Sequence, residues 1–142
     1  MDGNGRWAAE RALPRWEGHR EGAKRVRPIV EHCIDRGVKA LTLYAFSVQN
    51  WGRPKDEIGT LMGLLTQFIA LEKPHLIQKG VRVQAIGELE RLPHDAEHSI
   101  RTLVAETAEN TRFTLTICLS YGGREEIVRA MKRVASKVQE GE

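Results

Sequence analysis

Three short runs rich in aliphatic and β-branched residues punctuate the chain: Val38–Tyr44, Val81–Ile86 and Phe113–Tyr121. Apolar runs of this length predict buried strands. Between them apolar residues recur every three or four positions, the period of a helix with one buried side. Val26, Ile29, Val30, Cys33 and Ile34 mark the first such stretch, which Gly37 ends ahead of the first strand. Pro28 inside it predicts a kink or a late start. A second helix opens at Pro54, with Asp56 and Glu57 near the positive end of its dipole. Its face is Ile58, Leu61, Met62, Leu65, Phe68 and Ile69, widened by Leu64 and Leu71, and Pro74 predicts its kink or end. Ala96, Ile100, Leu103, Val104 and Ala108 mark a third helix; Ile127, Met131, Val134, Ala135 and Val138 mark a fourth.

Strands alternating with helices in this way predict an α/β fold, a mostly parallel sheet flanked by helices on both faces. No linker or repeat divides the chain, so residues 1–142 are expected to form a single domain. One feature is out of place. The chain opens on a glycine-rich polar turn, Asp2-Gly3-Asn4-Gly5-Arg6, with no strand before it, whereas such turns in open parallel sheets follow the carboxyl end of a strand.

Charge narrows the class of ligand. Residues 1–55 carry 11 basic and 6 acidic side chains, and residues 56–142 carry 11 basic and 13 acidic ones. The positive field is therefore confined to the N-terminal third, where it attracts phosphates. Nucleic acid is a poor partner: the basic residues alternate with Glu10, Glu17 and Glu21, no DNA- or RNA-binding motif is present, and only a pI of about 9.1 favours it. No stretch approaches the roughly 18 apolar residues of a membrane span, and no secretory leader is expected. Cys33 and Cys118 lack metal-ligand spacing and are expected to be buried thiols in a cytoplasmic protein.

Three clusters carry candidate chemistry. In DGNGR, Gly3 and Gly5 allow backbone amides to converge on an anion, Arg6 adds a planar donor fork, and Asp2 offers a hard oxygen to Mg²⁺. A plain surface turn accounts equally for those residue types. Arg15 and His19, near a helix start, can add donors to the same anion. The third cluster, Ala45–Pro54, follows the first strand and should meet DGNGR at one edge of the sheet. It offers a hydroxyl, two amides, an indole and a guanidinium.

The blocks MDGNGRWA, RWEGHREGA, LTLYAFSVQNWGRP and YGGREEIV, in this order, resemble the successive motifs of the cis-prenyltransferases, whose bacterial members are undecaprenyl diphosphate synthases. The resemblance implies the α/β fold of those enzymes and condensation of isopentenyl diphosphate with an allylic diphosphate such as farnesyl diphosphate, giving a cis-polyprenyl diphosphate. It implies that Asp2 binds Mg²⁺ with the diphosphates, and that Gly3, Asn4, Gly5, Arg6, Arg15 and His19 form the allylic diphosphate pocket beside the Trp7 indole. Ser47, Val48, Gln49, Asn50, Trp51 and Arg53 correspond to the loop over the reacting centre, with Asn50 at the position credited with assisting proton removal. An amide is too weak a base to act alone, so Asn50 reads as a positioner of diphosphate or water. The nucleophile is the substrate's own π-bond, consistent with a sequence showing no Ser/His/Asp or Cys/His arrangement. Leu64, Leu65, Phe68 and Leu71 are candidate walls of a tunnel for the growing chain. A cytoplasmic homodimer that touches the membrane only through its lipid product is implied as well. The DDxxD motif of trans-prenyltransferases is absent.

The chain departs from the family in three ways. Gln49 stands where glutamate is usual, which predicts lower turnover than Gln49→Glu would show in a direct rate comparison; equal rates would remove any special role for this position. The strand that normally precedes DGNGR is missing, and the block resembling RTSGE that follows YGGREEIV in the family is not present. The chain is therefore expected to be truncated at both ends, with exposed strand edges, and to hold the allylic half of the site while lacking most of the isopentenyl half. The competing expectation is a noncatalytic diphosphate- or polyprenyl-binding subunit of a prenyltransferase complex.

Overall fold

The computed structural model describes residues 2–141; Met1 of the first motif and Glu142 lie outside the described residues. The order is α1 (Asn4–Ala9), α2 (Arg15–Lys24), α3 (Val26–Asp35), β1 (Ala40–Ser47), a 3₁₀ turn (Val48–Gly52) and α4 (Lys55–Gln78). Then come β2 (Val81–Ile86), a short 3₁₀ turn (Leu89–Arg91), α5 (His94–Glu106), β3 (Phe113–Tyr121) and α6 (Gly123–Glu140). The strands form one parallel sheet in the order β1-β3-β2. Pro14, Pro54 and Pro93 stand immediately before α2, α4 and α5, where a fixed φ and a missing N–H cost a helix nothing.

The parallel α/β expectation holds, with several corrections. Residues 4–9 are helical, so the glycine-rich turn is confined to Asp2 and Gly3, the latter at φ 84°. The first apolar stretch, Val26 to Ile34, is α3, and a separate helix, α2, precedes it and joins it at Arg25. Pro28 lies in the first turn of α3, which needs no donor there. Pro74 does not end α4: the carbonyl it leaves unpaired, at Ala70, is on an exposed surface, and buried Leu76 anchors the last turn. Val38 precedes β1, its N–H bonded to the Cys33 carbonyl in the turn that ends α3.

Among the described residues the helices cover mainly one face of the sheet. Val81, Val83, Phe113, Leu115, Ile117 and Leu119 pack beneath α3, α4 and α5 against Val30, Ile69, Leu76, Ile100 and Leu103, each such side chain contributing about 1.5–3 kcal/mol. On the other face Thr42, Tyr44, Arg82 and Gln84 are exposed. The last helix, α6, makes only marginal contact with the rest and leaves Ile127, Met131, Val134 and Val138 exposed. The edge of β2 is not bare: Thr107 Oγ1 accepts from the Val83 N–H at 3.0 Å and Asn110 Nδ2 donates to the Val81 carbonyl at 2.9 Å.

Candidate functional site

Near the carboxyl ends of β1 and β3 a cavity of about 150 Å³ opens between the sheet and α4. Its polar end is built by four side chains from three separate stretches of the chain: Asn4 from α1, His19 from α2, and Asn50 of the 3₁₀ turn with Arg53 just beyond it. Its body is hydrocarbon, supplied by Leu61, Leu64, Leu65 and Phe68 of α4 and by Leu43 and Ile117 of the sheet. The first and third sequence clusters therefore meet, as their placement implied. Leu71 does not take part; it is 72% exposed.

The α1–α2 pair sets Asn4 and His19 side by side. Gly18 is buried against the Asn4 carbonyl, which a Cβ at position 18 would overlap, and Gly22 lies against the Asn4 side-chain amide. Asn4 Nδ2 is 3.5 Å from His19 Nδ1. With the amide donating, Nδ1 is the acceptor and the ring proton sits on Nε2, a buried nitrogen that has no hydrogen-bond partner among the described residues. A donor left open in a cavity wall is suited to a ligand oxygen.

Two cations, Arg53 and Arg15, and one carboxylate, Glu57, surround that ring. Arg53 Nη1 donates to Glu57 Oε1 at 2.9 Å, and Arg15 Nε lies 4.0 Å from the same oxygen. Glu57 thus gathers the two guanidiniums; sequence reasoning used it only as a helix-dipole residue, although its i,i+4 spacing from Arg53 signalled the pair. Burial, then the nearby Arg53 and Arg15 charges, hold His19 below its ordinary value of 6.5, with Glu57 opposing. The sign follows. Stability from the neutral ring is complete above the unfolded value and is lost as pH falls through the lowered folded value. An anion bound here would raise the ring's affinity for a proton, so anion binding, probed with inorganic diphosphate, should take up protons as pH drops below neutral. Calorimetry in two buffers of different ionisation enthalpy, with His19→Gln as reference, checks this; equal proton uptake by both proteins would exclude it.

The remaining candidates are placed around rather than in the cavity. Ser47 and Asn50 cap each other, the Ser47 N–H donating to Asn50 Oδ1 at 3.0 Å, which fixes the amide that faces the cavity. Trp51 lies under the turn, its Nε1 donating to Ser120 Oγ at 2.9 Å and its ring meeting Phe46 edge-on. Val48 is half-buried and Gln49 is exposed. Gly5 packs on the Arg15 guanidinium. Trp7 is half-buried beneath the Arg11 guanidinium. Arg6 and Asp2 face each other at 3.8 Å with side chains 80% and 98% exposed, and the Gly3 N–H donates to Asp2 Oδ1 at 2.6 Å.

Among the described residues no three His, Cys, Asp or Glu side chains come together to hold a metal. The exposed Asp2 carboxylate, beside Arg6 and accepting from the Gly3 N–H, nevertheless keeps lone pairs that fit Mg²⁺, which commonly binds through one or two carboxylates together with substrate phosphates and retained waters. Among the described residues no helix is long and apolar enough to cross a membrane.

Comparison with known proteins places the chain in a family. Residues 1–142 match the family described as putative undecaprenyl diphosphate synthase. The chain is 51% identical over 141 residues to an isoprenyl transferase of Clostridium perfringens, covering 99% of this chain and 56% of that one. It is 45% identical over 142 residues to the (2E,6E)-farnesyl-diphosphate-specific ditrans,polycis-undecaprenyl-diphosphate synthase of Micrococcus luteus, covering 100% and 57%. Lavandulyl diphosphate synthase from Lavandula x intermedia, solved with dimethylallyl diphosphate, superposes with a TM-score of 0.96 at 32% identity, over 99% of this chain and 61% of that one. A probable undecaprenyl diphosphate synthase from Campylobacter jejuni gives a TM-score of 0.75 at 35% identity, over 82% and 56%. The chain spans about half the length of the curated relatives it matches.

Proposed function

Because the chain belongs to the undecaprenyl diphosphate synthase family, the cis-prenyltransferases, we propose that its cavity binds an allylic diphosphate and serves the condensation of that molecule with isopentenyl diphosphate. One observation carries the reading: a single cavity has a polar end of Asn4, His19, Asn50 and Arg53 and a body of leucines and phenylalanine. That polarity matches a ligand with an anionic head and a hydrocarbon tail. The farnesyl specificity of the Micrococcus relative and the dimethylallyl ligand of the lavender enzyme support the same class of substrate.

In this reading Arg53, Arg15 and the His19 Nε2–H hold the diphosphate, and they act most strongly as the allylic C–O bond lengthens and charge gathers on the leaving group. Asn4 fixes the His19 tautomer. Asp2 would hold Mg²⁺, which would supply further charge neutralisation to the leaving group. Leu61, Leu64, Leu65 and Phe68 keep water from the hydrocarbon. Asn50, with its Oδ1 engaged by the backbone, orients a bound oxygen instead of removing a proton. Residues 1–142 act as one cis-prenyltransferase domain carrying the allylic half of the site, in a cytoplasmic homodimer that meets the membrane through its lipid product.

The test is Mg²⁺-dependent incorporation of labelled isopentenyl diphosphate into extractable lipid with farnesyl diphosphate as primer. A cis-polyprenyl product abolished by Asp2→Ala would establish that the allylic half of the site suffices for condensation. Binding of the primer without any product would favour a noncatalytic prenyl-diphosphate-binding subunit.

A further inference from the structure

The turn that carries Asn50 toward the cavity buries none of its own residues, so something outside it must hold it still. Trp51 is the anchor, and it is gripped three ways. Its N–H donates to Ser120 Oγ at 2.9 Å, its ring edge meets Phe46 at a centroid distance of 4.9 Å, and the Arg91 guanidinium lies 5.4 Å from its ring centroid.

Two of those three contacts trace to Glu88. Arg91 Nη1 donates to Glu88 Oε2 at 2.6 Å, which keeps the guanidinium over the indole. The Glu88 N–H donates to the Ser120 carbonyl at 3.2 Å. Ser120 is wholly buried and holds φ 50°, a left-handed backbone that a non-glycine residue adopts only when its surroundings impose it. The β1–β3 register slips opposite it, between Tyr44 and Phe46 and again before Ser47, and a slip of this kind re-aims a strand's side chains. Glu88 reaches this point because Gly87, at φ 120°, crosses directly over the Leu119 carbonyl, where any Cβ would collide.

The second oxygen of Glu88 forms an ion pair with Arg129 of α6 at 2.6 Å. The Arg91 hydrogen bond, and Arg129 after it, hold the carboxyl below its ordinary range against the opposing effect of burial. Glu88 does not line the cavity, and the proposed chemistry gives it no task.

We infer that Glu88 is a positioning residue: by fixing Arg91 on Trp51 and the Ser120 backbone beneath it, it holds the turn that presents Asn50 and Arg53 to the ligand, and it ties that turn to α6. The inference rests on the reading of the cavity as a prenyl diphosphate site.

The experiment compares wild type with Glu88→Gln, Arg91→Met and, as control, Glu97→Gln, which removes an exposed pair with Arg101 on α5. Amide exchange is followed in residues 47–53, and affinity is measured for farnesyl thiolodiphosphate, an unreactive analogue. Glu88→Gln and Arg91→Met should each speed exchange in 47–53 and weaken binding, both by about tenfold, while exchange at Val83 and Leu115 stays at the wild-type rate. The control should change neither. Should Glu88→Gln raise exchange throughout the sheet, Arg91→Met decides alone, since it leaves Glu88 paired with Arg129. Wild-type exchange in 47–53 for Arg91→Met, or undiminished affinity, overturns the inference. If wild type itself fails to bind the analogue, the functional reading falls and the ligand-presenting role falls with it; the exchange data still decide whether Glu88 holds the turn.

Discussion

A methyl group on Gly18 is expected to cost the protein about 2–4 kcal/mol of stability and nearly all affinity for an allylic diphosphate. Gly18 is buried, and the added Cβ would overlap the Asn4 carbonyl oxygen and stand 3.2 Å from Ala8 Cβ. Backbone cannot swing aside as a side chain can, so relief requires moving α1 bodily. That helix has six residues and one buried side chain, Ala8, far too little to persist alone. Its displacement takes Asn4 from the cavity and exposes the His19 ring. Gly22→Ala is the informative contrast: its Cβ would meet only the Asn4 side-chain amide, at 2.6 Å from Oδ1, which can rotate. Thermal unfolding should show Gly18→Ala lowered by roughly 6–12 °C and Gly22→Ala lowered little, with both losing affinity for farnesyl thiolodiphosphate. An unchanged midpoint and affinity for Gly18→Ala would falsify this account of the α1–α2 contact.

Arg53→Ala is expected to weaken binding of the same analogue about 100-fold, equivalent to roughly 2.7 kcal/mol. More is lost than one donor. Glu57, whose side chain is only 15% exposed, keeps Arg15 at 4.0 Å but loses its 2.9 Å partner. A carboxylate with reduced compensation would then face the incoming anion. The double substitution Arg53→Ala/Glu57→Gln should recover about tenfold of the loss, a coupling that a double-mutant cycle measures directly. Arg53→Lys should fall between, because an ammonium restores the charge without the planar fork. Independent, additive effects of the two changes would show that Glu57 does not gather the arginines.

Much of this was legible in the residues. The three strands, the cavity-lining stretch of α4 and the convergence of the first and third clusters all follow from local periodicity and from the habit of parallel sheets to bind ligands at strand carboxyl ends. The one-sided sheet is legible too. Arg82 and Gln84 alternate with Val81 and Val83 in β2, and period-two alternation marks a face turned to water. The helical state of residues 4–9 escaped because glycine and asparagine are turn formers in isolation; α2 supplies the packing that overrides them.

The sequence by itself determined which residues are chemically available: donors, carboxylates and apolar stripes recur at spacings that depend only on the chain's own geometry. It also determined the family, since residue identities in order carry that directly. What only the tertiary structure decided is adjacency. That Asn4 sets the His19 tautomer, that Glu57 collects Arg15 and Arg53, that Trp51 supports the turn from below and that Glu88 reaches both Arg91 and Arg129 are contacts between residues 3 to 69 positions apart. Most of them form where helices and strand ends pack at angles that local propensity does not encode. Burial then shifts His19 and Glu88 in directions that no isolated peptide would show.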